Sequence, residues 1–154
     1  MTFHLAQMNI AWMHGAIHDP VMAGLAERID EINELAEKSP GFVWRLPASA
    51  VTPQSLEPFE EDFPRFHRDR LFYNMSIWES LESLREYTFL SRHAELLNER
   101  HQWVDHIAGA SVALWWAPVG DRPSIAESAA RLRSVRLHGP TPAAFTIRKT
   151  FPPP

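Results

Sequence analysis

The order of the apolar segments constrains this chain most: strand, helix, strand, strand, helix, a further helical run, strand, helix, strand. Residues 3–10, FHLAQMNI, read as the first strand. Their apolar positions do not alternate cleanly, which is the pattern of a strand covered on both faces. After the loop AWMHGAIH, Asp19 is the expected N-cap, with Pro20 at the first helical position. Met22, Leu25, Ile29, Ile32 and Leu35 or Ala36 form one apolar stripe, and Ser39-Pro40-Gly41 stops the helix after about Lys38. Residues 42–46 and Leu71–Trp78 read as the second and third strands. Ser80 opens the next helix, with Glu82 in its first turn, and a break near Ser91 leads into a helical run to about Ile107. Residues 112–117 are the fourth strand, and Ser124 and Glu127 form a capping box after Pro123. In the helix that follows, Ile125, Ala129, Leu132 and Val135 face the core, while Arg131, Arg133 and Arg136 face solvent or a partner. Residues 145–149 read as a short fifth strand.

The first part of this order is a split β-α-β pattern. It predicts an α+β, ferredoxin-like fold, an antiparallel sheet with helices on one face. The other face then needs cover, and a second copy of the chain is the simplest cover, so a homodimer is expected. Residues 47–69 carry Pro47, Pro53, Pro58 and Pro64 among acidic residues. So long a connection in one small domain, 1–154, is a lid or a disordered insert. Phe59, Phe63 and Phe66 favour a loop that docks.

Composition narrows the chemistry. The chain has 154 residues, 45% of them hydrophobic, which suits one core and is too apolar for a disordered chain. No apolar run approaches the ~20 residues that span a bilayer. The opening MTFHLAQMNIAW lacks the charged start and cleavage site of a signal peptide, so a cytoplasmic location is expected. There is no cysteine, which excludes disulfides, thiolate metal sites and a cysteine nucleophile. A net charge of −4 argues against nucleic acid as the main partner.

Residues 91–107 carry the most chemistry. At helical spacing His93, Leu96, Leu97, Arg100, Trp103, Val104 and Ile107 share one apolar face. A buried Arg wants an anionic partner. His93 could therefore move a proton and Arg100 clamp an anion or enolate in a cleft beside the sheet. The competing reading makes His93 a donor to a backbone carbonyl and Arg100 half of a structural ion pair. Gln7 and Asn9 alternate with apolar residues on the first strand, as Asn74 and Ser76 do on the third. They either orient a ligand or bond a neighbouring strand or second subunit. Trp44, Trp78, Trp103, Trp115 and Trp116 pack the core or line a pocket for a planar ligand. Trp115 and Trp116 must point to opposite sheet faces. Neither His14 with His18 nor His101 with Asp105 supplies three metal ligands, so no metal is expected. A single axial His for haem stays open, with His93 as the candidate. No phosphate loop, nucleophile elbow or Ser-His-Asp arrangement is present.

The segments HLAQMNIA, PGFVWRL, NMSIWESLESLREYTFLSRHAELL, ERHQWV, ALWWAPVGDRP and HGPTPAAFT resemble a bacterial family of unknown function. That family is placed in the dimeric α/β-barrel superfamily, beside the antibiotic-biosynthesis monooxygenases. The resemblance implies two ferredoxin-like sheets paired into a barrel, each with a hydrophobic cleft between sheet and helices. Activities in such clefts include cofactor-free quinol oxygenation, lactone isomerisation and, in larger relatives, haem chemistry. His93 matches the family's helical His, and Arg100 and Trp103 match its R-x-x-W spacing. Segment 47–69 is longer and more aromatic than the family pattern. The resulting expectation is a cofactor-free monooxygenase-like enzyme, or a proton-transfer isomerase or cyclase, acting on a small aromatic or polyketide-like molecule. His93 would shuttle a proton, and Arg100 and Asn74 would bind the developing oxyanion. Trp44, Trp78 and Trp103 would wall the cleft, with Asn9 and Trp116 also touching substrate. The alternatives are a non-catalytic ligand-binding dimer and a haem protein using His93.

Overall fold

The structure, a computed structural model, describes residues 2–90 and 93–154, with side chains at all of these except His93, Leu96 and Leu97. β1 (Phe3–Met13) leads through a 3-10 turn (Pro20–Met22) into α1 (Ala23–Lys38) and then β2 (Phe42–Arg45). A 3-10 segment (Gln54–Asp62) precedes β3 (Leu71–Trp78), α2 (Leu81–Arg85) and a π-turn (Glu86–Leu90). α3 (His93–Glu99), a 3-10 turn (Arg100–Gln102), β4 (Val104–Asp105), β5 (Val112–Pro118) and α4 (Ile125–His138) complete the order.

All strand pairs are antiparallel. The curled sheet runs β2-β3-β1, with β4 and β5 on the remaining edge of β1. β1 and β3 form the centre, with Gln7 opposite Ser76 and Asn9 opposite Asn74. Side chains alternate across the sheet, so Ala6, Met8 and Ile10 share one face with Tyr73, Met75 and Trp115. Leu5, Gln7 and Asn9 share the other with Asn74, Ser76 and Trp78.

Helices lie on both faces rather than one. α1 and the α2–π-turn run pack on the Leu5 face through Ala36, Leu84 and Tyr87. On the opposite face Ala129, Leu132 and Val135 of α4 join Leu56, Phe59 and Phe63 of the proline-rich connection. The chain thus covers its own second sheet face, and the layer argument for a partner copy loses its premise. The α4 arginines turn inward to hold this cover. Arg133 donates Nε and Nη2 to the two Asp62 carboxylate oxygens at 2.9 Å each. Arg136 donates to the Ala108 and Ala110 carbonyls and lies over Phe63. Arg131 donates to the Ala143 carbonyl and lies over Trp115.

The caps behave as their residues dictate. Ser80 Oγ accepts from the Ser83 N–H, and Ser124 Oγ from the Glu127 N–H. Asp19 holds the expected N-cap position with Pro20 first in the 3-10 turn, but its carboxylate accepts from the Ala16 N–H in the preceding loop and makes no side-chain cap bond.

Two expected elements are absent in their expected form. The run to Ile107 is not one helix, because α3 ends at Glu99 and a 3-10 turn closes with Trp103 N–H bonded to the Arg100 carbonyl. The edge of β1 then claims the next residues: His14 N–H donates to the Trp103 carbonyl, and Val104 pairs with Met13. Residues 145–149 form no strand. Phe145 exchanges two bonds with Leu114, and Thr146 and Lys149 close a turn on each other.

Two buried tyrosines tie the layers together. The Tyr73 hydroxyl of β3 shares a 2.6 Å hydrogen bond with Ser128 Oγ of α4, which also donates to the Ile125 carbonyl. The Tyr87 hydroxyl donates to the Ile32 carbonyl of α1. Burial pushes both phenols above their ordinary value of 10.0. The folded state therefore holds these protons more tightly than the unfolded chain. Their contribution is complete below about pH 10 and is lost as pH rises beyond it. Denaturant midpoints measured across that range should fall steeply, and the Tyr73→Phe, Tyr87→Phe double variant should fall less. Equal slopes would remove the tyrosines as the cause.

Among the described residues, no helix is long and apolar enough to cross a membrane.

Candidate functional site

Where the sheet curls away from α1, a cavity of about 1030 Å³ opens over the Asn74 face beneath the helices and reaches round to Leu56 of the proline-rich connection. Its floor is built by the period-2 patterns Gln7-Met8-Asn9 on β1 and Asn74-Met75-Ser76 on β3. Directly opposed residues on antiparallel strands stand about 5 Å apart on one face. The register therefore places four polar, uncharged side chains together. Gln7 Nε2 donates to Asn74 Oδ1 at 3.2 Å and to Ser76 Oγ at 2.7 Å. Trp78 Nε1 donates to the same Ser76 oxygen at 2.9 Å. Trp78 is itself fixed, fully buried and stacked on Tyr87 with ring centroids 4.8 Å apart.

The roof is apolar. Leu25, Ile29 and Ile32 project from α1 at helical spacing. The π-turn continues α2 with five residues per hydrogen-bonded turn, and its Tyr87 and Thr88 line the cavity. Trp103 closes one end by lying against α1 at Gly24. A Cβ on Gly24 would fall 2.7 Å from the indole Cζ2, so glycine is what admits the ring there. Charge is confined to the rim. Arg28 pairs with Glu31 and Glu99, Arg45 with Glu37, and Arg68 with Glu57 and Glu60. Such partly exposed pairs stabilise little. Among the described residues no group of three or more His, Asp or Glu could hold a metal ion.

The structure brings Asn9, Asn74, Trp103 and Arg100 to this cavity. Arg100 is exposed at its margin rather than buried in an apolar stripe, because the helix that would have carried it inward ends at Glu99. His93 begins α3, but its side chain lies outside the described residues, as does Ser91 entirely. Trp78 stands behind the floor and positions Ser76 without lining the cavity. Trp44 lies on the opposite sheet face. It pairs with Ile77 across a register shift, packs on the α4-side core and sits under Arg122. Trp116 is on the cavity side of β5, but the chain's own tail covers it, and its indole N–H donates to the Phe151 carbonyl at 2.7 Å. Trp115 and Trp116 do face opposite ways. Gln7, Ser76, Tyr87 and Ile29 complete the site. The strand alternation pointed to the first two; the last two depend on how α1 and the π-turn sit over the sheet.

A family model described as a domain of unknown function, DUF3291, matches residues 4–154. No curated protein matches the chain. Among solved structures, a protein of unknown function from Nitrosomonas europaea is similar at 12% identity and a TM-score of 0.49, over 80% of this chain and 97% of that one.

Proposed function

The chain belongs to the DUF3291 family, and from that premise we propose that it is a small-molecule enzyme acting without a cofactor on an aromatic or polyketide-like substrate held between sheet and helices. One observation carries the reading: an apolar-walled cavity of about 1030 Å³ with a few converging neutral polar groups. Ligand sites combine large apolar surface with a small set of orienting polar atoms in this way. The chemistry proposed is monooxygenase-like or a proton-transfer isomerisation or cyclisation. Asn74 would donate to oxygen charge developing on the substrate, and Arg100 at the margin would attract an anion. His93 as proton shuttle, a ferredoxin-like sheet, dimeric pairing and a cytoplasmic setting are carried into this proposal from the sequence pattern, and the resemblance to the monooxygenase-like superfamily supports the first three. A dimer would need a surface other than the sheet face that α4 and residues 54–62 occupy.

Anthrone is a suitable probe, since its oxidation by O₂ gives anthraquinone and water with no other reactant. Saturable quenching of tryptophan fluorescence and O₂ uptake are expected with the protein alone. Ile29→Trp, which fills the cavity beneath α1, should weaken quenching at least about tenfold. Undiminished quenching in that variant would place binding elsewhere and sink the proposal. Binding without turnover would favour the second reading, a non-catalytic binder. That reading has an observation in its favour: the floor side chains Gln7, Asn9, Asn74 and Ser76 include no acid or base. A Soret band after haem addition would instead support the haem reading.

A further inference from the structure

We propose that Ser76 is a dedicated hydrogen-bond donor to the ligand, and that the cavity selects a molecule presenting an acceptor oxygen there: a ketone, quinone, enolate or phenolate. The inference rests on the reading of the cavity as a ligand site and specifies what that ligand must carry.

A serine oxygen has two lone pairs and one proton. The indole N–H of Trp78 can only donate, and it occupies one lone pair at 2.9 Å. Gln7 Nε2 occupies the other at 2.7 Å. With the Gln7 amide in this orientation both lone pairs are filled, so the proton is what Ser76 has left to offer. No described residue accepts it. Ser76 is only 6% exposed, yet it lines the cavity. A ligand oxygen in the cavity would accept that proton. Two incoming donors also polarise the hydroxyl and strengthen the bond it gives.

The neighbours reinforce the selection. Gln7 also donates to Asn74 Oδ1, which leaves the Asn74 NH₂ group as a second donor two residues along the same strand face. With charge confined to the rim, this pair suits a neutral carbonyl or a delocalised anion rather than a carboxylate. Trp78 is a positioning residue here: it holds Ser76 in donor orientation and does not touch the ligand.

The probes are 9-fluorenone and fluorene, which share a ring system and differ in one carbonyl. Binding is measured by tryptophan quenching, and the fluorenone carbonyl stretch by infrared difference spectroscopy. Fluorenone should bind about three- to tenfold more tightly than fluorene, with its carbonyl stretch moved to lower frequency. In Ser76→Ala the affinity ratio should fall towards one and the stretch should return towards its unbonded position. Equal affinities with an unshifted carbonyl in the unmodified protein would overturn the assignment while leaving the cavity a ligand site. A shifted carbonyl unchanged in a folded Ser76→Ala protein would also overturn it. Binding of neither probe would overturn the cavity reading and this proposal with it.

Discussion

Phe59→Ala is expected to destabilise the protein by about 3–5 kcal/mol, the usual range for emptying a buried phenylalanine site. Phe59 is fully buried, and its ring centroid lies 5.6 Å from that of Tyr73. It reaches this position from the proline-rich connection, where a 3-10 segment presents Leu56 and Phe59 on one side. The backbone there makes no strand or α-helix ladder. Side-chain burial, with the Arg133–Asp62 bidentate pair, holds it down. Removing the ring therefore leaves a void and loosens the segment. A melting temperature lower by on the order of 10 °C should result. Phe66→Ala, at a half-buried position beside Trp12, should cost less. A Phe59→Ala protein that melts within a degree or two of the unmodified one would mean that the connection is not part of the core.

Trp78→Ala should cost a similar 3–5 kcal/mol, on the other face of the sheet. Its indole is completely buried, stacked on Tyr87 and met edge-on by Phe42 at 5.6 Å. It thereby joins β2, β3 and the π-turn. Trp78→Phe separates packing from hydrogen bonding. It keeps an aromatic body and removes the N–H that reaches Ser76, so about 1–2 kcal/mol of loss is expected. In a double-mutant cycle, Trp78→Phe and Ser76→Ala should be less than additive, because each already removes the same bond. Chemical denaturation of the four proteins measures this. Strict additivity would show that the Trp78–Ser76 bond contributes nothing to stability.

Local signals were legible wherever a residue acts on its own neighbours. Ser39-Pro40-Gly41 ends α1 because Pro40 cannot continue it and Gly41 adopts φ +81. Ser124 caps α4 because its oxygen reaches an N–H three residues on. The apolar run 71–78 is β3 at its full length. Where a residue's fate depends on a distant edge, the same reasoning failed. Nothing local in ERHQWVDH shows that β1 extends to Met13 and leaves backbone groups for residues 103–105 to meet. Once that edge competes, the helix ends, and Arg100 stays at the surface.

The candidate site divides the same way. Alternation in the two central strands shows that Gln7, Asn9, Asn74 and Ser76 can share faces. Register decides that all four share one face, and the packing of α1 and the π-turn decides that a cavity stands over it. By itself the sequence determined an α+β chain of antiparallel strands and amphipathic helices, with a chemistry limited to His, carboxylates, Arg, hydroxyls and amides. Periodicity, caps and composition are properties of neighbouring residues. Tertiary structure alone decided that α4 and Phe59 cover the second sheet face, that Trp44 and Trp116 leave the cleft, and that Trp78 supports Ser76. Those outcomes depend on which surfaces distant in sequence bury each other, and no local pattern encodes that choice.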